Sequence, residues 1–373
     1  MKNNPNLIFR KLCVFSALAI LAGVPLFATV SFGASGISLV TTITVRNNPT
    51  YLAFNPSNGY VYVSNYHNDA RGSISIINGV SNKVLKNVIV GNGPSEIIYN
   101  PSNKEVYAAN QGSNTVSVLK GTRVVATIGV GVSPSALVFD PTNKEVYVAN
   151  NNAPGTVSVI SSMTNKVVKT IAVGDNPTGI ANDPDNNEIY VMNSGAGTVS
   201  AIDASTNKVV STLNLGISAV ASDPEALAFD PANGYMYIGG TSTLTVLDSF
   251  NNVVTTVNVG GYFGIVYDPS NTNVYAAGDN VYIISSATDK VLWTVSSIVP
   301  AGEMAFNPSN TDIYAIGSRN TVSAINGSTN GVDATVAVQQ SPTGIIFDSS
   351  NTYIYVTNFN GEFGQYDSVS VIS

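Results

Sequence analysis

Beyond residue 48, apolar and polar positions alternate in short stretches rich in β-branched residues. Clear examples are TVSVI at residues 156–160 and VVKTIAV at residues 167–173. A period of two residues is typical of half-buried β-strands. The stretches are separated by Asp-Pro-x-Asn, Ser-Asn-Gly, Thr-Asn-Lys and Val-Gly-x-x-Pro, which are turn formers. No helical periodicity follows residue 36, so the pattern predicts an all-β protein.

The strands belong to an internal repeat that decides the fold class. One phrase recurs eight times: Pro-Thr/Ser-x-x-x-Phe/Tyr-Asn/Asp-Pro-x-Asn-x-x-Val-Tyr-Val-x-Asn. Its copies lie at residues 49–65, 94–110, 134–150, 177–193, 224–240, 262–278, 301–317 and 342–358. The copies are about 42 residues apart, and four strands in such a period form one blade of a β-propeller.

The two ends of the repeat array predict the number of blades. Copies one to seven each continue into a fourth strand, whereas the eighth ends at its third strand, residues 368–373. A strand at residues 41–45 precedes the first copy and aligns with the fourth strand at 169–173. We therefore expect eight blades, with strand 41–45 completing the C-terminal blade and covering an open sheet edge. Because copies five and six are short, a seven-bladed ring with one aberrant copy is the alternative.

The end of each phrase carries a resemblance to a known family. Residues 355–358 read Tyr-Val-Thr-Asn, and residues 62–65, 147–150 and 190–193 are variants of it. The chain resembles the YVTN-family β-propeller repeat over nearly everything that follows the N-terminal segment. This resemblance implies an archaeal or bacterial surface or secreted protein that acts as a binding or structural module. Likeness of fold assigns no chemistry by itself.

The N-terminal segment is typical of an export signal. Lys2, Arg10 and Lys11 precede an uncharged stretch at residues 12–32, and small residues suitable for cleavage occur at Ser31, Gly33 and Ser35. A basic start followed by an apolar run is typical of a secretory signal peptide, and Pro25 favours cleavage. If uncleaved, the run is long enough to anchor the chain in a membrane. We expect residues 1–35 to be this signal or anchor, residues 36–373 to be one propeller domain, and the protein to be extracellular or at the cell surface.

Composition excludes several function classes. Only 10% of residues are charged, the net charge is −7, and Lys and Arg number 16, so we expect no nucleic-acid partner. The single Cys, Cys13, lies in the N-terminal segment, and His67 and Trp293 are the only His and Trp. Disulfides, Cys nucleophiles, zinc and iron–sulfur clusters and multi-histidine sites are therefore excluded. A haem or tryptophan-derived cofactor is excluded for the same reason, and we predict no cofactor beyond a divalent cation.

The candidate site lies where the repeat is broken. In propellers the first strand of each blade lines the central channel. The third position of the phrase is Gly or Ala in five copies, as the sequence reads Tyr51, Glu96, Ala136, Gly179, Ala226, Gly264, Glu303 and Gly344. Two carboxylates facing a narrow channel raise each other's pKa or recruit a cation. The hypothesis is a weak polar or metal site at one channel mouth; the alternative is two solvated glutamates in a wide, water-filled channel.

Other prominent side chains have simpler interpretations. The Asp or Asn before each Pro-x-Asn is interpreted as a cap of its own turn, and the Tyr of each Val-Tyr-Val as packing between blades. Residues 183–188 resemble a calcium loop but occupy this ordinary turn position. His67 is interpreted as a solvent-exposed loop residue. Asn326, in Asn-Gly-Ser, is a weak glycosylation candidate.

These observations favour an exported, non-enzymatic propeller that binds an envelope polymer, a glycan or a protein or peptide partner. Its polar, uncharged loops suit hydrogen bonding. The alternative is a metal-assisted hydrolase or lactonase in which Glu96 and Glu303 hold a divalent cation that polarises a carbonyl or water. The near absence of His disfavours this alternative.

Overall fold

Alternating β-branched stretches and turn residues produce strands throughout the part of the chain that the computed structural model describes. That part comprises residues 36–66, 71–215, 227–240, 242–260, 264–359 and 367–373, within the compact unit Ala34–Ser373. It holds 32 β-strands in eight separate four-stranded antiparallel sheets. Each sheet is one blade.

The first four blades each take four consecutive strands. Their bounds are β2 Pro49–Asn55, β3 Tyr60–Asn65, β4 Arg71–Asn78 and β5 Lys83–Asn92; β6 Pro94–Asn100, β7 Glu105–Asn110, β8 Thr115–Lys120 and β9 Arg123–Gly129; β10 Pro134–Asp140, β11 Glu145–Asn150, β12 Thr156–Ser161 and β13 Lys166–Ala172; and β14 Pro177–Asp183, β15 Glu188–Asn193, β16 Thr198–Asp203 and β17 Lys208–Asn214.

The next three blades repeat this order, and the eighth adds β1. Their bounds are β18 Leu227–Asp230, β19 Tyr235–Gly239, β20 Thr243–Leu247 and β21 Val253–Asn258; β22 Gly264–Asp268, β23 Asn273–Ala277, β24 Val281–Ser285 and β25 Lys290–Val295; β26 Pro300–Asn307, β27 Asp312–Gly317, β28 Thr321–Asn326 and β29 Val332–Ala337; and β30 Pro342–Asp348, β31 Tyr353–Asn358, β32 Ser368–Ile372 and β1 Leu39–Thr44.

The first strands of the blades form the inner ring. Each contacts the first strand of the next blade in the order β2, β6, β10, β14, β18, β22, β26 and β30, and β30 returns to β2. The protein is therefore an eight-bladed β-propeller. The seven-bladed alternative is wrong, because the short fifth and sixth copies are complete four-stranded blades.

The ring closes as the sequence predicts. β1 pairs antiparallel with β32, with Ile43 opposite Val369 and Thr41 opposite Val371. The closing strand spans Leu39–Thr44, shifted by one or two residues from the predicted 41–45. Pairing two strands from distant parts of the sequence covers an edge that would otherwise remain open.

The hydrophobic core is divided into eight clusters rather than one. In one of them Tyr147 and Val159 of the third blade pack with Val191 of the fourth. The Tyr of each Val-Tyr-Val position is buried, as predicted: Tyr62, Tyr107, Tyr147, Tyr190, Tyr237, Tyr275, Tyr314 and Tyr355. Side-chain packing between blades therefore holds the ring together. In the described ranges, no helix has the length and apolar character needed to cross a membrane.

Candidate functional site at the junction of blades 7 and 8

Neighbouring blades also meet through their turns. The first turn of a blade joins its first and second strands, and the third turn joins its third and fourth. Because the strands are antiparallel, both turns lie at the same end of the blade. We call the contact between the first turn of one blade and the third turn of the next a junction, and number it by its two blades.

Junction 2–3 shows how such a contact is built. The Tyr107 hydroxyl donates a hydrogen bond to Asn165 Oδ1 at 2.5 Å, and Asn165 Nδ2 donates to Glu105 Oε2 at 3.0 Å. Asn103 Nδ2 donates to the main-chain carbonyl of Ser162 at 3.1 Å. Asn165 has φ of 53°, a left-handed conformation that Asn tolerates well. The third-turn Asn is thus held through both ends of its carboxamide.

Junction 3–4 repeats these three bonds. The Tyr147 hydroxyl donates to Asn207 Oδ1 at 2.8 Å, and Asn207 Nδ2 donates to Glu145 Oε2 at 3.1 Å. Asn143 Nδ2 donates to the carbonyl of Ala204 at 3.0 Å. The recurring Asn and Tyr of the phrase therefore bind the next blade as well as serving their own turn and core.

Five further junctions keep at least one bond of this set. Hydroxyl donors reach the next blade's third turn in four of them: Tyr62 to Gly121 O, Tyr237 to Asp289 Oδ1, Tyr275 to Asn330 Oδ1 and Tyr355 to Asn82 Oδ1. At junction 4–5, Asn251 Nδ2 donates to Glu188 Oε2 at 3.0 Å. Seven of the eight junctions are thus filled by a turn of the neighbouring blade.

Junction 7–8 differs because the third and fourth strands of blade 8, β32 and β1, are not consecutive in the sequence. No turn joins them within the described residues. The Tyr314 hydroxyl accepts a hydrogen bond from Asn310 Nδ2 at 3.1 Å but donates to no described residue. Asn310 is exposed, whereas its seven counterparts are only partly exposed. The first turn of blade 7 therefore has the donor groups of a junction without the turn they bind elsewhere.

A cavity of about 400 Å³ lies at this position. Asn310, Asp312 and Tyr314 of blade 7 line it, together with Asp333 of β29 and residues 36, 37 and 373 beside the closing strand pair. Asp312 occupies the position that Glu105 and Glu145 hold in their blades. It is 8% exposed, lines the cavity, and accepts no hydrogen bond through its carboxylate from the described residues. Its oxygens are not among the fully enclosed side-chain atoms that lack a partner, unlike Oδ2 of Asp268 and Asp348, so the carboxylate can accept a hydrogen bond from a ligand in the cavity.

The cavity is electrostatically negative and sensitive to pH. Burial, followed by the negative charges of Asp333 and Asp268, raises the pKa of Asp312 to about 6. Asp333 is exposed, and its Oδ2 accepts a hydrogen bond from Asn326 Nδ2 at 2.8 Å. Above pH 6 the site therefore disfavours anionic ligands and favours neutral donors or cations.

The residues predicted at the channel mouth bridge neighbouring blades. Glu96 Oε2 accepts a hydrogen bond from the backbone N–H of Leu137 at 2.5 Å, and Glu303 Oε2 accepts one from Ile345 N–H at 3.1 Å. Both bonds join the first strand of one blade to the first strand of the next. The half-buried Tyr51 packs against the cluster between the first two blades. Ala226 lies outside the described residues.

These contacts give each glutamate a structural role that the sequence analysis did not consider. The described ranges contain no group of three or more His, Cys, Asp or Glu residues placed to hold a metal ion. Whether Tyr51, Glu96 and Glu303 form a polar or metal site stays a prediction.

The turn-cap interpretation is confirmed. Asp140 Oδ1 accepts the N–H of Thr142 at 2.8 Å, and Asp348 Oδ1 accepts that of Ser350 at 2.8 Å. Asp183, in the stretch that resembles a calcium loop, likewise caps its turn, and burial raises its pKa to about 6. Its Oδ1 is thus used as in the other copies.

Two predictions concern single loop residues. His67 lies outside the described residues. Asn326 lies at the cavity, where Asp333 accepts its Nδ2–H and its Oδ1 accepts the N–H groups of Ser328 and Thr329. Glycosylation of Asn326 stays a prediction.

Sequence reasoning missed the cavity although one signal was present. The eighth blade pairs β32 with β1, from the other end of the sequence, and in the described residues no third turn of that blade contacts blade 7. Asp312 follows its turn like Glu105, but nothing in the sequence indicates that its partner is missing, because that partner lies in the next blade.

The fold and the open junction define a class: an eight-bladed β-propeller with a polar cavity between two blades. The sequence profile of a family described as "Lactonase, 7-bladed beta-propeller" matches residues 27–124, well under half of the chain. The ring of this chain has eight blades, whereas the family is described as seven-bladed. No curated protein matches the chain.

Among solved structures, one similar chain belongs to hydrazine synthase of Kuenenia stuttgartiensis. The two chains share 18% identity with a TM-score of 0.59, and the match covers 88% of this chain and 96% of that one. At this identity the likeness supports the propeller fold and no activity.

Proposed function

We propose that this chain is a non-enzymatic binding module that takes up a segment of a partner protein in the cavity at junction 7–8. The observation that carries the proposal is Asp312, which is 8% exposed, lines the cavity and accepts no hydrogen bond through its carboxylate from a described residue, at a position that seven equivalent junctions fill with protein. Because those junctions are filled by a peptide turn, a protein segment is the ligand class that best fits the eighth. A ligand that donates a hydrogen bond to this carboxylate compensates for its reduced contact with water.

The setting of this binding is also part of the proposal. The N-terminal charge pattern supports export, so the partner belongs to the cell surface or envelope. The Tyr-Val-Thr-Asn signature at residues 355–358 supports placement among YVTN-family propellers. In the structure the signature has a folding role: the Tyr355 hydroxyl bonds to Asn82, and Asn358 Nδ2 bonds to Ser370 Oγ.

The test uses crosslinking from matched positions. A photoreactive residue replaces Ser309, an exposed first-turn residue that lines the cavity, and in a second variant replaces Ser270, the equivalent exposed residue of blade 6. In cells that produce the protein, we expect a protein adduct from position 309 and none from position 270. Equal adducts from both positions, or none from position 309, would contradict the proposal.

A lactonase is the second candidate, favoured by the profile match, which includes Tyr51 and Glu96. In this candidate Glu96 and Glu303 hold a divalent cation that polarises a lactone carbonyl. The test measures hydrolysis of a lactone panel with and without divalent cations, for the unaltered chain and for Glu96→Gln/Glu303→Gln. Metal-dependent turnover that the substitutions abolish would replace the binding proposal; absence of turnover would remove the candidate.

A further inference from the structure

The filled junctions show which chemical groups a ligand would need in order to bind at junction 7–8. In junctions 2–3 and 3–4 the next blade presents an Asn whose carbonyl oxygen accepts from a Tyr hydroxyl and whose amide nitrogen donates to a Glu carboxylate. Three residues earlier, a main-chain carbonyl accepts from the first-turn Asn. Three groups of one blade thus recognise a carboxamide on a tight turn.

The junctions with a carboxylate after the first turn all present an Asn opposite it. Where this residue is Glu105, Glu145 or Glu188, the amide nitrogen of the third-turn Asn donates to the carboxylate. Where the residue is uncharged, the third turn varies: it presents Asp289 opposite Tyr235, Asn330 opposite Asn273 and Asn82 opposite Tyr353. A hydrogen-bond donor therefore faces each of the three carboxylates, as expected because two carboxylates in contact repel.

Junction 7–8 offers the same three groups in the same positions. Tyr314 has a hydroxyl hydrogen to donate, Asp312 has a carboxylate to accept, and Asn310 has the amide nitrogen that binds a carbonyl at other junctions. Asn310 Oδ1 already accepts the N–H of Asp312 at 3.1 Å, which orients its amide as in the filled junctions. The recognition groups are in place before any ligand arrives, which reduces the entropy lost on binding.

We propose that the cavity binds an asparagine-bearing turn of the partner protein, with the carboxamide held between Tyr314 and Asp312. This inference rests on the proposed function and names the feature of the partner that is recognised. An aspartate at that position is rejected, because its carboxylate would face Asp312, with Asp333 and Asp268 adding negative charge nearby.

The chain supplies its own probe. Residues 156–172 form the β12–β13 hairpin, whose turn presents Asn165 to blade 2. A cyclic peptide of this sequence, with its hairpin form verified by NMR, is titrated into the full chain at pH 7.5. We expect saturable binding, and at least tenfold weaker binding of the peptide carrying Asn165→Asp, because a charge-assisted hydrogen bond becomes a repulsion.

Matched variants locate the binding. Tyr314→Phe removes the open hydroxyl, and we expect it to weaken binding of the Asn peptide about fivefold or more. Tyr275→Phe removes the equivalent hydroxyl in a filled junction, where it bonds to Asn330. We expect it to leave peptide affinity unchanged. Asp312→Asn should remove the discrimination between the Asn and Asp peptides.

Several results would overturn the inference: no binding of the Asn peptide, equal affinity for both peptides, or unchanged affinity in Tyr314→Phe. A crosslink from position 309 to residues 1–35 of the same chain, or to a second copy, would also overturn it by identifying another occupant. A partner adduct from position 309 without peptide binding would leave the binding function standing and reject the asparagine turn. Selective peptide binding without a partner adduct would support the recognition chemistry and reject the proposed function.

Discussion

Junctions 2–3 and 7–8 contain the same kinds of side chain and differ in what faces them. Glu105 and Asp312 both follow a first turn and are both 8% exposed. Glu105 accepts hydrogen bonds from Asn103 and Asn165 and lies 3.6 Å from Lys120 Nζ, whereas the carboxylate of Asp312 accepts none from the residues that the structure describes. Removing a carboxylate from water costs free energy, and hydrogen bonds or opposite charges are needed to compensate it. We therefore expect similar sequence positions to contribute differently to stability, depending on the neighbouring blade.

The largest change in the free energy of unfolding is expected when junction 2–3 loses Glu105, the hydrogen-bond acceptor of Asn165. Glu105→Ala should lower the free energy of unfolding by about 2 to 3 kcal/mol, because it leaves the amide of Asn165 without its acceptor. Urea unfolding at pH 7.5 measures the change. The matched Asp312→Ala should cause no loss of this size. An equal loss in both variants would contradict the contrast between the junctions.

The second effect has the opposite sign and depends on pH. Burial, then the charges of Asp333 and Asp268, raise the folded-state pKa of Asp312 to about 6 from the ordinary 3.8. Between these values the folded chain binds more protons than the unfolded one, so this contribution to stability falls as pH rises from about 4 to 6. Asp312→Asn should therefore stabilise the chain by about 1 to 2 kcal/mol at pH 7.5 and by nearly nothing at pH 4.

The control for this pH effect is Asp203→Asn. Hydrogen bonds from Ser205 and Thr206 lower the pKa of Asp203, so its stabilising contribution is present at neutral pH and is lost as pH falls through the folded-state pKa. Urea unfolding from pH 4 to 8 should show opposite trends for the two variants. Parallel trends would mean that Asp312 has partners in solution.

A third, smaller contrast concerns the hydroxyl groups. Tyr107→Phe should lower the free energy of unfolding by about 1 kcal/mol, because Asn165 loses a hydrogen bond. Tyr314→Phe should change it by about 0.5 kcal/mol or less, since this hydroxyl donates to no described residue. Thermal and urea unfolding of both variants provide the measurement, and a larger loss in Tyr314→Phe would contradict the open junction.

The smallest effect is expected at the channel mouth. Glu96→Gln and Glu303→Gln each exchange a charge-assisted hydrogen bond for a neutral one, and we expect losses of about 1 kcal/mol or less. Adding millimolar calcium, magnesium, manganese or zinc should leave the melting temperature of the unaltered chain unchanged. A metal-dependent rise that both substitutions remove would instead establish the metal site considered from sequence.

Much of the fold could be predicted from the sequence because the same pattern of strands and turns recurs eight times. Strand alternation, turn residues and spacing predicted eight blades and the closing strand near residues 41–45. The sequence did not predict that Glu96 bonds to the neighbouring blade, because its partner Leu137 lies 41 residues away along the chain. The sequence analysis also missed the inter-blade role of Asn103, which bonds to the main-chain carbonyl of Ser162 in the next blade.

The sequence alone determined the strand-forming stretches and their turns, and it favoured eight blades over seven, since these depend on local backbone preference and on the period of the repeat. It also placed Asp312 and Tyr314 after a first turn. Only the tertiary structure decided that these two residues line an open cavity while Glu105 and Tyr107 are covered. The reason is that each junction is made by two blades, and the eighth blade joins two strands from distant parts of the sequence, so within the described residues no turn covers the groups that blade 7 presents.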